Sequence, residues 1–159
     1  MNKKKILLSI FALATVAVAM VSCGDDNYAE PGSADVSRSA EGVYIGELTT
    51  EDETAPLTGE DLTITVTCED ELTRANIVTL EGTVTNSSTG KSYEISDTKT
   101  FNIALANGSY VLTNPKNALS YGKITGEEFH YTLKLTPAGK MTAAGKFYTV
   151  KAKRKLLDE

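Results

Sequence analysis

The 159-residue sequence is poor in the side chains that most often carry chemistry, with no tryptophan, two cysteines and one histidine, His130. One histidine and one free cysteine cannot build a typical zinc site. His130 also has no serine or cysteine nucleophile motif beside it, as hydrolytic catalysis would need. The sequence therefore predicts a non-enzymatic protein with no catalytic residues, no metal site and no cofactor.

Positive charge is scarce as well. The formal net charge of −5 includes three lysines of the N-terminal segment, so without that segment it is about −8. General nucleic-acid binding requires a net basic face. The charge balance therefore argues against a nucleic-acid partner.

The N-terminal residues have the pattern of a secretory signal. Lys3–Lys5 form a positive cluster, and Ile6–Val21 follow with only Ser9 and Thr15 as polar interruptions. These are the n-region and h-region of a secretory signal. A permanent transmembrane helix is the alternative, but the apolar run is shorter than the roughly 20 residues that a bilayer core needs. Aspartates, not a positive stop-transfer cluster, come after it.

The signal ends in Met20-Val21-Ser22-Cys23. This stretch resembles the lipobox of bacterial lipoproteins, with Met20 at the position where leucine is usual. The resemblance implies that residues 1–22 are a lipoprotein signal peptide and that Cys23 is the lipid attachment site. A diacylglycerol and an N-acyl chain together satisfy the requirement of more than one acyl chain for a stable anchor. We thus expect the protein to bind the membrane through lipidated Cys23.

Residues 23–40 are small and polar and have no hydrophobic period, so we expect a lipid-anchored flexible tether. Asp25-Asp26 resembles the acidic export signal of surface lipoproteins in some Gram-negative bacteria, and a solvated spacer is the alternative. We expect attachment to the outer membrane. The protein could face the periplasm or the cell surface, and both alternatives stand. If Cys23 carries lipid, Cys68 has no cysteine to pair with.

From residue 41 to 155 the hydrophobic pattern has period two, and no segment shows a convincing helical period. Turn residues such as Asn, Gly and Pro separate the alternating runs. The predicted strands are Gly42–Thr49, Asp61–Glu69, Ala75–Thr85, Ser92–Ser96, Thr98–Ala106, Ser109–Thr113, Ala118–Thr125, Glu128–Thr136 and Lys140–Lys153.

Alternation gives each predicted strand one apolar face. Apolar residues on that face include Leu62, Ile64 and Val66, and their neighbours on the opposite face are threonines. A sheet with one apolar side must bury it. The expected fold is therefore all-β, an antiparallel up-and-down β-barrel of about eight strands. A two-sheet β-sandwich is the alternative.

The stretch Gly42-Val43-Tyr44-Ile45-Gly46 resembles the first strand of small lipocalin-like, or calycin-like, lipoproteins of Gram-negative gut bacteria. The long final strand is similar too. Lipocalins carry tryptophan where Tyr44 stands and an arginine packed on it, for which Arg154 is the possible counterpart. The resemblance implies a lipocalin-like barrel over residues 41–155 that binds a small hydrophobic or amphipathic ligand. Independently, glycine within a strand marks a bend or a close backbone approach.

If such a ligand enters the barrel, the expected lining is Tyr44, Tyr110, Phe129 and Tyr131. An eight-stranded barrel can hold one small molecule or be filled by its own side chains, and the many large inward residues favour filling. The first functional hypothesis is ligand binding inside the barrel. The alternative is a structural or interaction module that contacts an envelope protein or glycan through its outer surface.

Charged residues outside the predicted core have two interpretations each. The acidic residues Glu51–Glu53 and Glu69–Glu71 are expected in consecutive loops at opposite barrel ends, as solvated charge. Weak calcium binding in the first loop is the alternative. Lys151 and Lys153 are expected on the outer face of the last strand. They either prevent an exposed strand edge from pairing with another chain or bind an anionic partner.

Overall fold

The computed structural model describes residues 38–70, 75–114 and 120–156. The predicted signal peptide, most of the predicted tether and the predicted lipidation site Cys23 lie outside these residues. Among the described residues, no helix has the length and apolarity to cross a membrane.

Eight antiparallel strands close into a barrel in which each strand pairs with its sequence neighbours and β1 pairs with β8. This confirms the all-β, up-and-down barrel and excludes the sandwich. The strands are β1 (Gly42–Thr49), β2 (Leu57–Asp70), β3 (Ala75–Asn86), β4 (Lys91–Ala106), β5 (Ser109–Thr113), β6 (Ser120–Thr125), β7 (Glu128–Leu135) and β8 (Lys146–Arg154).

The barrel has two distinct ends because consecutive connections alternate between them. Residues 38–40 are helical and lead into β1 at the end where β8 finishes, and we call this the proximal end. Connections 107–108 and 126–127 also lie there. The opposite, distal end carries connections 50–56, 87–90 and 136–145.

Alternation predicted the inward residues well. In β7, for example, Phe129, Tyr131, Leu133 and Leu135 are buried, while His130 between them is exposed. Burying each such side chain contributes about 1.5–3 kcal/mol relative to an exposed one. The hydrophobic effect on this single face is what makes the strands form.

Three predicted strand boundaries are wrong. β2 begins at Leu57 instead of Asp61, because Leu57 already pairs with Asn86 of β3. The break expected at Asp97 does not occur, because Leu80 pairs with Asp97 and the whole of β4 continues along β3. Asp97 therefore points inward with Phe101, and sheet pairing overrides the turn preference of aspartate. The last strand begins at Lys146 instead of Lys140, since residues 136–145 form the connection in which Gly139 has φ +71°.

Aromatic rings fill the barrel centre. Tyr44 and Phe129 pack edge to face with ring centroids 5.2 Å apart. Tyr131 lies 5.8 Å from Phe129 and 5.9 Å from Phe101, measured between centroids. Rings at these separations are in contact and gain a quadrupole term beyond the area they bury. The four rings thus form a continuous row inside the barrel.

Closure of the barrel requires glycine at position 46. A Cβ atom there would overlap the carbonyl oxygen of Lys151 and the Cα atom of Ala152, which are backbone atoms of β8. Gly46 pairs with Ala152 across the β1–β8 seam. The close backbone approach expected for a strand glycine is confirmed at this position.

We expect Gly46→Ala to lower the melting temperature of the full chain by about 10 °C or more, or to prevent folding, because backbone of β8 cannot move without opening the seam. Gly90→Ala is the matched control. Its φ of +69° disfavours alanine, but no atom lies within 4 Å of the new Cβ, so we expect a loss of about 1 kcal/mol, a drop of roughly 5 °C that is smaller than the drop for Gly46→Ala. Circular dichroism melting checks both variants. Equal melting temperatures for Gly46→Ala and the wild type would contradict the proposed closure.

Candidate functional site

The structure brings together three of the four residues predicted to line a ligand site. Tyr44, Phe129 and Tyr131 are fully buried and belong to the row of contacting rings. Tyr110 is half-buried and packs against the edge of the same core. The space expected for a ligand is thus occupied, around these residues, by their own side chains.

Tyr44 closes the proximal end of the barrel together with Arg154. The Tyr44 hydroxyl donates to the carbonyl of Ala40 at 3.0 Å and accepts from Arg154 Nη2 at 2.7 Å. Arg154 Nη2 also donates to the carbonyl of Ser39 at 2.9 Å, and its guanidinium carbon lies 5.2 Å from the Tyr44 ring centroid. Burial raises the pKa of Tyr44, and the arginine opposes that rise. These bonds tie residues 38–40 to the barrel.

A polar cluster lies under the β7–β8 connection. Asp97 and Lys99 point inward from β4 and form an ion pair of 2.5 Å, and the Lys99 ammonium also contacts the sulfur of Met141 at 2.6 Å. Burial raises the pKa of Tyr131 to about 12, with a lowering contribution from the Ser120 hydroxyl and a raising one from the Asp97 charge. The buried phenol therefore stays protonated near neutral pH.

Two of the three fully buried tyrosines, Tyr44 and Tyr148, form hydrogen bonds with partners within the protein. The Tyr148 hydroxyl accepts from the backbone N–H of Leu57 at 3.3 Å. The Tyr44 hydroxyl bonds to Ala40 and Arg154, as described above. Buried hydroxyls need such partners, and a ligand is one way to supply them. Here the protein itself supplies them for Tyr44 and Tyr148. Binding of a small molecule inside the barrel stays a prediction.

A groove of about 560 Å³ opens on the outer surface towards the distal end. We call it the distal groove. It is formed by β1, β6, β7 and β8 together with the start of the β1–β2 connection. Its lining residues are Thr49, Thr50, Glu51, Asp52, Tyr121, Thr132, Phe147, Thr149 and Lys151.

A row of paired residues crosses the floor of the distal groove. Tyr121 pairs with Thr132, Thr132 with Thr149, and Thr149 with Thr49, so the row spans four strands. The hydroxyls of Thr132 and Thr149 are 2.9 Å apart, and Thr49 Oγ1 donates to the Thr149 carbonyl at 2.9 Å. Cross-strand hydrogen bonds of this kind hold side chains in one rotamer. The floor is therefore preorganised.

Two large aromatic side chains stand out of this floor. Tyr121 and Phe147 are each 51% exposed, and both line the distal groove. The Lys134 ammonium lies 4.4 Å from the centroid of the Phe147 ring. Neither aromatic is among the site residues predicted from the sequence, because those residues were all taken from the inward face. Their position on the otherwise polar face of alternating strands was the signal that could have found them.

Asp52 shapes the distal rim of the groove. It accepts from the Thr54 hydroxyl at 2.6 Å and the Thr54 backbone N–H at 2.9 Å, and it lies 3.1 Å from the Lys146 ammonium. The Thr54 hydroxyl bond, then Lys146, lower the pKa of Asp52 to about 2. Thr50 Oγ1 adds a bond to the Phe147 carbonyl at 3.0 Å. The β1–β2 connection is thereby fastened to β8 beside the groove.

The predicted exposed lysines and histidine are on the outer face. Lys151 pairs with His130, and His130 with Lys123, across β8, β7 and β6. The His130 ring is about half exposed and 3.9 Å from Glu128. Cys68 is a free, half-buried thiol. Within the described ranges, no group of three or more His, Cys, Asp or Glu side chains is arranged to hold a metal ion.

Searches against protein-family models, curated proteins and solved structures find no match for this chain. We therefore base the proposed function on the geometry of the chain itself. Its best-formed external feature is the distal groove, where two exposed aromatics stand on a hydrogen-bonded threonine floor.

We expect the carboxyl of Asp52 to titrate with a midpoint near 2, below its ordinary value of 3.8, in a carbon-detected NMR titration. Because this pKa is depressed in the folded state, the stabilising contribution is present above pH 3.8 and is lost as the pH falls through about 2. Thr54→Val and Lys146→Met should each raise the midpoint. Lys155→Met, at the proximal end, should leave it unchanged. A wild-type midpoint near 3.8 would show that the rim bonds do not form.

Proposed function

We propose that this chain is a non-enzymatic, lipid-anchored protein of the bacterial envelope that contacts an envelope partner through the distal groove. The observation that carries the proposal is the pair of half-exposed aromatics, Tyr121 and Phe147, in one groove of a barrel whose interior rings pack on one another. Exposed aromatics on a rigid, partly polar surface are typical of recognition sites.

The position of the groove supports this proposal. The predicted lipid-anchored tether, residues 23–40, leads into the barrel at the proximal end. An eight-residue strand such as β1 spans about 26 Å. Anchored in this way, the barrel would turn its distal end, with residues 49–52 of the groove, away from the membrane. A partner beyond the lipid surface could then reach it.

Binding of a small hydrophobic or amphipathic ligand inside the barrel is the second candidate. The resemblance to lipocalin-like lipoproteins implies it, and Tyr110 at the edge of the core would be the first residue that such a ligand meets. The ligand would, however, have to separate the packed rings of Tyr44, Phe129 and Tyr131. Separating packed core side chains is costly because a well-packed interior leaves little free volume. We therefore place the outer surface first.

The anchoring part of the proposal is tested at Cys23. We expect Cys23→Ser to abolish incorporation of radiolabelled palmitate and to move the protein from the outer-membrane fraction to a soluble or signal-retaining form. Cys68→Ser is the matched control, since this half-buried thiol lies within the barrel domain. Equal labelling of the Cys23→Ser variant and the wild type would contradict lipidation at this position.

The groove is tested by photo-crosslinking in intact cells that make the full chain. A photoreactive amino acid replaces Tyr121 in the groove, or Thr98, which is exposed on the outer face of β4. We expect adducts with an envelope glycan or protein from position 121 and few from position 98. Equal adducts at both positions, or no adduct at either, would contradict a partner at the distal groove.

A further inference from the structure

We propose that the distal groove binds a neutral oligosaccharide, with its sugar rings stacked on Tyr121 and Phe147. This inference rests on the proposed function, because it names the class of partner for the same groove. It is carried by the spacing of the two aromatic rings, the hydroxyl groups between them and the charge balance of the lining.

The distance between Tyr121 and Phe147 suits an oligosaccharide, which is a chain of sugar rings. Tyr121 lies on β6, and the row of pairs leads through Thr132 to Thr149 on β8. Phe147 is two residues before Thr149 on the same strand. With about 4.8 Å between strands and about 3.4 Å per residue, the two aromatic positions are about 12 Å apart. That distance exceeds one sugar ring and suits an oligomer that contacts both aromatics.

The floor between the aromatics matches the chemistry of sugar hydroxyls. Thr132 and Thr149 present hydroxyls that bond to each other at 2.9 Å. Each threonine hydroxyl has one donor and two acceptor lone pairs, so the pair keeps free capacity towards solvent. A sugar offers both donors and acceptors at close spacing, above a C–H surface that can lie on an aromatic face.

Charges in and around the groove largely balance. Asp52 is paired with Lys146 at 3.1 Å, and Lys151 faces Glu47 in the β1–β8 register. Glu51 adds one exposed negative charge at the rim, and Lys134, whose ammonium lies 4.4 Å from the Phe147 ring centroid, adds one positive charge. A polyanion such as an acidic polysaccharide would meet no net basic surface here. The balance therefore favours an uncharged ligand.

The arrangement fits a sugar better than a protein partner. Protein interfaces have an apolar core in which aromatic anchors are surrounded by further apolar side chains. Here the neighbours of Tyr121 and Phe147 are polar: Thr132 and Thr149 lie between them, and the charged Lys134 pairs with Phe147. Single exposed apolar residues are normal on protein surfaces, as Ile45 shows outside the groove at 36% exposure. Two aromatics in one groove with a hydroxyl floor are a more specific combination.

The test is binding of the full chain, held in detergent micelles, to an array of hexasaccharides. The neutral members are polymers of glucose, mannose, galactose, xylose and N-acetylglucosamine, and the acidic member is oligogalacturonate. Fully methyl-esterified oligogalacturonate serves as its uncharged counterpart. We expect binding to at least one neutral oligosaccharide, and weaker binding to oligogalacturonate than to its methyl ester.

Variants locate the binding. Tyr121→Ala and Phe147→Ala should each weaken it by about tenfold or more, whereas Tyr121→Phe, which keeps the ring, should retain most of it. Ile45→Ala removes an exposed apolar side chain from the same barrel outside the groove and should bind like the wild type. All four side-chain changes are at exposed positions, so melting temperatures close to that of the wild type should confirm that the variants fold.

Failure of this inference can be told from failure of the proposed function. Absence of binding to every neutral oligosaccharide, binding only to oligogalacturonate, or full binding by both alanine variants overturns the sugar proposal. If position 121 still forms specific adducts with an envelope protein, the groove remains an interaction site and only the ligand class is wrong. If neither sugars nor adducts are found, both proposals fail.

Discussion

The structure depends on the backbone contact that joins the first strand to the last. Gly46 lies so close to Lys151 and Ala152 that any side chain would overlap the β8 backbone. Without this seam, β1 and β8 would be open edges, and the apolar face of the sheet would be exposed along them. The seam encloses the row of aromatic rings and brings β1 beside β8, where the two strands together support one side of the distal groove.

Polar contacts help to complete both barrel ends. At the proximal end, Arg154 donates to the carbonyl of Ser39 at 2.9 Å and Tyr44 donates to the carbonyl of Ala40 at 3.0 Å, while Arg154 and Tyr44 bond to each other at 2.7 Å. Under the β7–β8 connection, Asp97 and Lys99 neutralise each other beside Met141. β4 pairs with β5 only from Asn102 to Ala106, so residues 91–101 have no strand partner on that side among the described strands. Inward charges such as Asp97 and Lys99 disfavour pairing of this segment with another chain.

Much of the barrel could be predicted from residue order alone. Leu62, Ile64 and Val66 were placed on the inner face, and all three are buried. Gly46 was identified as a close approach and is one. The prediction failed at Asp97, because a turn-forming residue stays extended when a neighbouring strand offers a full set of backbone partners. Tyr121 and Phe147 were not predicted as site residues, because the predicted site was built from inward-facing residues and these two aromatics face outward.

The sequence by itself determined that the chain is a series of strands with one apolar face, since hydrophobic alternation and turn residues are local properties. It also determined which side of each strand Tyr121 and Phe147 occupy. Only the tertiary structure decided that these two aromatics share one groove with Thr49, Thr132 and Thr149. The reason is physical: a period of two specifies a face, but the register between strands and the closing of β1 on β8 depend on contacts between residues up to about a hundred positions apart.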